Sequence, residues 1–181
     1  ILDLGEDESI CPGESIIFKA TKGLSSYLWS DGSDKDSIEV KEKGKYSVTV
    51  TDSNGCNSSD EVNLVVFQPY PEKIGVVTVL EDNRIVIAWN RTSGKNTSYY
   101  KVFRETDKAD VFEEIGTKAF SDPSYIVDDE ANPLEQTYRY KLQTTDICQT
   151  SVMSEVHKTI LLQAVYSKST GANNLSWNAY E

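Results

Sequence analysis

Three cysteines, a single histidine and a surplus of carboxylates are the side chains of this sequence with evident reactivity. Cys11 stands in Cys11-Pro12-Gly13-Glu14, and Cys56 ends Asp52-Ser53-Asn54-Gly55-Cys56. A bridge between them would close a long loop. By chain entropy it would be worth roughly 4 kcal/mol, a large share for a small unit with a modest core. A Cys11 to Cys56 disulfide is therefore predicted, and with it an oxidising compartment. The competing reading is two free thiols in a reducing one. Zinc is disfavoured, because two distant cysteines with no nearby histidine supply too few ligands. Cys148 is left over, either buried and inert or paired outside this segment. As a nucleophile it would need a base, and the one imidazole, His157, falls across a tight connection in the same hairpin. No catalytic, cofactor-binding or metal-binding residue is expected, and no cofactor.

The carboxylates gather in loops: Asp31, Asp34 and Asp36; then Asp52, Asn54 and Asp60; then Asp122, Asp128, Asp129 and Glu130. None of these has the spacing or the closing glutamate of an EF-hand, so they read as solvated acidic surface. Across 181 residues Lys+Arg number 18 and Asp+Glu 29, for a net charge of −11. That balance argues against nucleic acid and against anionic membrane surfaces, which recruit basic footprints. The longest unbroken apolar run, Ile85 to Trp89, is far shorter than the roughly 20 residues of a membrane helix, so no membrane insertion is expected of this segment.

The remaining chemistry is aromatic. Ten Tyr, 5 Phe and 3 Trp accompany many Val, Ile, Thr and Ser, a composition that favours sheet. Alternation assigns most of the landmark aromatics to core. Ile85, Ile87 and Trp89 share one face of a strand, as do Tyr138, Tyr140 and Leu142, which is what two packed sheets require. Tyr138, at a strand entrance, fits a tyrosine corner whose hydroxyl ties back to upstream backbone. Tyr46 has the same character in the first unit, and Trp29 fills that unit's core. Tyr70, Tyr99, Phe120, Tyr125 and Tyr166 are not forced inward and are the candidate ligand-contact aromatics, which could stack on sugar rings or pack at an interface.

What must position these residues is a series of short strands. Alternating runs at Ser15 to Ala20, Tyr27 to Ser30, Ser37 to Val40, Lys45 to Asp52 and Asp60 to Phe67 are separated by turn signals such as Asp31-Gly32 and Asn54-Gly55. Two prolines in Gln68-Pro69-Tyr70-Pro71-Glu72 then interrupt the pattern and mark a linker. Runs resume at Gly75 to Leu80, Arg84 to Asn90, Tyr99 to Glu105, Val111 to Thr117, Ser124 to Asp128, Thr137 to Thr145 and Val152 to Ile160, seven strands that make one sandwich. Asn174-Leu175-Ser176-Trp177-Asn178 echoes Val86-Ile87-Ala88-Trp89-Asn90, so a repeat starts again. The expectation is an all-β chain of tandem β-sandwiches. Residues 1–67 form the first, 68–72 a linker and 73–160 the second, while 161–181 open a truncated third. A start at Ile1 and a stop at Glu181 read as a piece of a longer protein whose signal peptide lies elsewhere.

Cys11-Pro12-Gly13-Glu14, Tyr27-Leu28-Trp29-Ser30-Asp31-Gly32 and Gly44-Lys45-Tyr46 through Gly55-Cys56 resemble the PKD-like, immunoglobulin-like repeats of large secreted Bacteroidetes surface proteins. The rest resembles fibronectin type III: Trp89 in the second strand, Tyr100 to Arg104 in the third, and Leu134 followed by Tyr138 to Leu142. Where related repeats carry Cys-Gly-Asn, this chain has Cys148-Gln149-Thr150. The resemblance implies an extracellular or bacterial outer-surface location. It also implies a non-enzymatic part in adhesion or in spacing other domains of the same chain, with a cell-surface protein or glycan as partner. The alternative is a carbohydrate-binding accessory module of a secreted polysaccharide-degrading enzyme.

Overall fold

The computed structural model describes residues 2–159 and the backbone of two later strands, and it divides into two compact units, Ile1–Gln68 and Pro69–Glu181. The division falls at the proline-containing segment. The described elements are all β-strands.

In the first unit, β1 (Glu8–Ile10), β2 (Ile16–Lys19), β3 (Ser26–Trp29), β4 (Ser37–Val40), β5 (Gly44–Thr51) and β6 (Asn57–Val66) form two sheets. One has the order β1-β6-β5-β3, and the other pairs β2 with β4. Strand β1 lies parallel to β6, with Glu8 opposite Leu64 and Ile10 opposite Val66, whereas the other pairs are antiparallel. This is a β-sandwich of a four-stranded and a two-stranded sheet. Alternation places Trp29, Phe18, Ile38, Val48, Val50 and Val62 in its core, all buried. The Trp29 indole donates to the Lys35 carbonyl at 2.8 Å, so its one polar atom is satisfied inside. Tyr46 is half-buried, packs on Phe18 with ring centroids 5.8 Å apart, and donates its hydroxyl to the Glu42 carbonyl at 2.7 Å.

In the second unit, β7 (Ile74–Val79), β8 (Ile85–Trp89), β9 (Thr97–Glu105), β10 (Phe112–Ala119), β11 (Tyr125–Asp128), β12 (Arg139–Asp146), β13 (Ser151–Met153) and β14 (His157–Lys158) again form two sheets. The smaller has the order β11-β8-β7. The larger runs β10-β9-β12-β13, with β14 also on β12. That strand order, three against four with the last strand in two pieces, defines a fibronectin type III-like fold. Ile85, Ile87 and Trp89 of β8 face Tyr100 and Val102 of β9 and Tyr140 and Leu142 of β12 across a core in which each is buried. Strand β10 carries a bulge between Glu114 and Gly116. A Cβ on Gly116 would lie 2.7 Å from Ile126 Cδ1, so glycine lets the bulged strand close over the core.

The expected final strand from Val152 to Ile160 is broken. Ser154 Oγ accepts from the Leu142 amide at 2.9 Å and donates to the Glu155 carbonyl at 2.7 Å, while Thr159 Oγ1 accepts from the Tyr138 amide at 2.8 Å. A hydroxyl thus stands in for a ladder carbonyl at the start of the gap, and another does so just past β14. Beyond residue 159, β15 (Leu162–Ser167) and β16 (Ala172–Trp177) pair antiparallel, with Leu162 opposite Trp177.

The cysteines depart from expectation. Cys56 is an exposed free thiol, while Cys11 and Cys148 are each disulfide-bonded, so a bridge from Cys11 to Cys56 is not made. The geometry around Cys56 shows what holds it instead. Asp52 Oδ1 accepts from the Asn54 and Cys56 amides at 2.8 and 2.9 Å, and the Asp52 amide donates to the Cys56 carbonyl. The same turn recurs at the β12–β13 hairpin, where Asp146 Oδ1 accepts from the Cys148 and Thr150 amides at 2.9 and 3.0 Å. Cys56 is thereby the counterpart of Thr150, a residue of the turn's frame. Alkylation of the native, unreduced chain is expected to modify Cys56 alone, with Cys11 and Cys148 reacting only after reduction. Peptide mapping checks this, and a blocked Cys56 or a native label on Cys11 would contradict it.

The recurrence also bears on the backbone at Gln149. The fourth residue of each turn has positive φ, +81° at Gly55 and +62° at Gln149. A non-glycine side chain is strained there. Gln149→Gly is expected to raise the stability of the second unit by roughly 0.5 kcal/mol, because relief of that strain exceeds the extra chain entropy of glycine. A urea midpoint that falls on this substitution would refute the assignment of strain.

Candidate functional site

The alternation that sends Tyr100 and Val102 inward sends Tyr99, Lys101, Phe103 and Glu105 of β9 outward. On β12, Arg139, Lys141 and Gln143 point the same way, opposite the inward Tyr140, Leu142 and Thr144. Register aligns these residues across the larger sheet. Phe112 of β10 lies opposite Glu105, and Phe103 lies between Glu114 and Lys141. Thr117, Lys101, Gln143 and Met153 form the next row, and Ala119, Tyr99, Thr145 and Ser151 the last. The outer face therefore presents three half-buried aromatic rings among long charged side chains.

Ion pairs and ring contacts fix those side chains. Lys101 Nζ lies 2.7 Å from Glu114, an interaction that raises the lysine pKa and lowers the carboxyl. Arg139 pairs with Glu105 and, at 3.2 Å, with Asp110. Lys141 Nζ sits 4.4 Å from the centroid of the Phe112 ring, and the Arg139 guanidinium sits 6.0 Å from it.

The sequence-derived aromatics are scattered by comparison. Tyr99 belongs to this face. Tyr125, 47% exposed, lies on the outer face of the smaller sheet opposite Ala88. Phe120 is packed against the core, 6.4 Å from the Tyr100 ring, with the Arg91 guanidinium 5.3 Å from its own ring centroid. Tyr70 is exposed, with Lys95 Nζ 4.9 Å from its ring. Tyr166 lies in β15, whose side chains fall outside the described residues. Phe103 and Phe112 were not singled out by sequence. The phase of β9 suffices to place Phe103 beside Tyr99, but bringing Phe112 alongside requires the register of β10.

Trp89 is buried with its ring 5.4 Å from that of Tyr100. Burial, followed by the charge of Glu72, pushes the Tyr100 phenol up to about 12. Tyr138 is half-buried and its hydroxyl accepts from the Asn132 amide at 2.8 Å, upstream as a tyrosine corner requires. Beside it, Asp128 Oδ1 accepts from Arg104 at 2.8 Å and Asp128 Oδ2 from the Tyr140 hydroxyl at 2.9 Å. Burial and that carboxylate raise the Tyr140 phenol. Two polar clefts of about 400 and 450 Å³ adjoin this network. Asp128, Asp129 and Glu130 line the first, and Arg104, Tyr138 and Arg139 the second.

The acidic loops have structural work. Asp31 accepts from the Ser33 amide, Asp60 from the Leu4 amide and Asp122 from the Ala119 amide, while Asp129 pairs with Arg84. Among the described residues no group of three or more His, Cys, Asp or Glu side chains is placed to hold a metal ion, and no helix is long and apolar enough to cross a membrane. Cys148 and His157 sit at opposite ends of β12: Cys148 follows Asp146, and His157 is opposite Tyr140. Six residues of strand separate those positions, about 20 Å. Burial lowers the His157 pKa.

No family model and no curated protein matches this chain. Among solved structures it is similar to the pectate lyase PelI from Erwinia chrysanthemi in complex with tetragalacturonic acid. That match has 19% identity and a TM-score of 0.42, and covers 50% of this chain and 28% of that one. It is similar also to the chicken CNTN1 FN1–FN3 domains, at 12% identity and a TM-score of 0.43 over 86% of this chain and 68% of that one. A cytokine receptor complex matches at 10% identity and a TM-score of 0.40 over 82% and 92%. The chain thus spans little more than a quarter of the pectate lyase. Its fibronectin type III-like character rests on its own strand order.

Proposed function

We propose that this chain is a non-catalytic, extracellular modular segment of a bacterial cell-surface protein, acting in adhesion or as a spacer that presents other domains. The observation that carries this reading is the division into two compact β-sandwich units, each with its own core and with the boundary at a proline-containing segment. Folded modules in series set distance and offer faces for contact, and a fold of this kind fixes no chemistry. Disulfide-bonded Cys11 and Cys148 support an oxidising location. The PKD-like motifs of the first unit support placement on the bacterial outer surface. The strand Ala172–Trp177, 88 positions beyond the Trp89 strand at its tryptophan, supports a further fibronectin-type repeat.

A second reading, a carbohydrate-binding accessory module, is favoured by one observation: Tyr99, Phe103 and Phe112 lie on one outward sheet face. Half-buried rings gathered on an outward sheet face are suited to stacking on sugars. An array of glycans and matrix proteins probed with the purified chain separates the two. Selective retention of one glycan class supports the accessory module, protein binding supports adhesion, and silence supports the spacer.

A further inference from the structure

The outer face of the β9–β12 sheet carries more than folding requires. Tyr99, Phe103 and Phe112 stand on the side of the sheet away from the core, so none of the three fills it. Three cations, Lys101, Arg139 and Lys141, stand among them in a chain of net charge −11. Two of the cations are neutralised in place, Lys101 by Glu114 and Arg139 by Glu105 and Asp110. Lys141 is not: among the described residues no carboxylate lies within ion-pair distance of it, and its ammonium rests 4.4 Å from the Phe112 ring centroid.

An uncompensated cation beside flat aromatic rings complements a ligand that combines an anionic group with flat faces of C–H bonds. A sugar acid has both. We propose that this face binds a carboxylated polysaccharide, with Lys141 pairing the uronate carboxylate and Phe103 and Phe112 stacking on the sugar rings. The inference deepens the carbohydrate-binding reading above and rests on it. A surface cation–π contact is weak and the lysine stem is flexible, so Lys141 leaves the Phe112 ring for a carboxylate and uncovers the ring as it does so. One exchangeable lysine among paired neighbours does not suit a nucleic acid, whose phosphates demand many cations at once.

The test is affinity electrophoresis of the whole chain through gels containing alginate or, as neutral polymers, dextran and laminarin, at low and at moderate salt. Alginate is expected to retard the chain, and salt to weaken the effect. Lys141→Gln and Phe112→Ala are each expected to cut the affinity at least fivefold, while Tyr125→Ala on the opposite sheet leaves it unchanged. Among the described residues Lys141 makes no ion pair whose loss could unfold the unit, so Lys141→Gln decides the matter if Phe112→Ala lowers the melting temperature. Alginate binding indifferent to Lys141→Gln overturns the proposal. Retention by neutral polymers alone also overturns it and leaves the carbohydrate-binding reading standing. Retention by neither class defeats both.

Discussion

Trp89→Ala is expected to destabilise the second unit by about 3 to 5 kcal/mol, enough to unfold much of it at ordinary temperature. The indole is 4% exposed at the end of β8, against the Tyr100 ring, in a core to which β7, β9, β11 and β12 also contribute. The cavity left by its removal would lie in a core built from strands of both sheets, whose pairing limits how far they can collapse into it. Trp89→Phe should cost far less. It conserves most of the volume and, because the buried Trp89 Nε1 has no hydrogen-bond partner among the described residues, it also removes an unsatisfied donor. Hydrogen exchange of β8, β9 and β12 amides in urea reads both effects. Equal losses for the alanine and phenylalanine variants would show that the site is not a packed one.

The tryptophan was legible because its strand is short and strictly alternating, with Ile85, Ile87 and Trp89 inward. The tyrosines of β12 were legible for the same reason. Strand β1 was not, since Glu8 and Ser9 are exposed and its pairing is parallel to β6, more than 50 residues away. Nothing local marks such a strand. The break between β13 and β14 was hidden because it depends on where the Ser154 hydroxyl points, a property of the neighbouring strand's register. Cysteine pairing failed differently. Three cysteines allow three bridges, and spacing does not choose among them. The outer aromatic face was half visible: the phase of β9 contains Tyr99 and Phe103, but Phe112 and Lys141 join them only through pairings on either side of that strand.

The buried network behind Tyr138 should be nearly as sensitive as the tryptophan. Asp128→Ala is expected to cost about 3 to 5 kcal/mol, as does the removal of one partner from other buried ion pairs. Asp128 is 3% exposed in its side chain, and its two oxygens serve Arg104, the Tyr140 hydroxyl and the amides of Glu130 and Ala131. Without it the fully buried Tyr140 hydroxyl loses its acceptor, while Arg104 keeps Glu113 and the mostly exposed Glu130. Asp128→Asn retains an oxygen for Arg104 and offers an N–H to the Tyr140 oxygen. Its expected cost is therefore nearer 1 to 2 kcal/mol, the difference between charged and neutral hydrogen bonds. A double-mutant cycle isolates the pair. With Tyr140→Phe in place the hydroxyl no longer needs Asp128, so the further cost of Asp128→Ala should shrink by about 1 kcal/mol or more. Full additivity in urea melts would mean that the tyrosine and the aspartate are stabilised independently, and that the β9–β12 sheet is anchored to the loop after β11 through Arg104 alone.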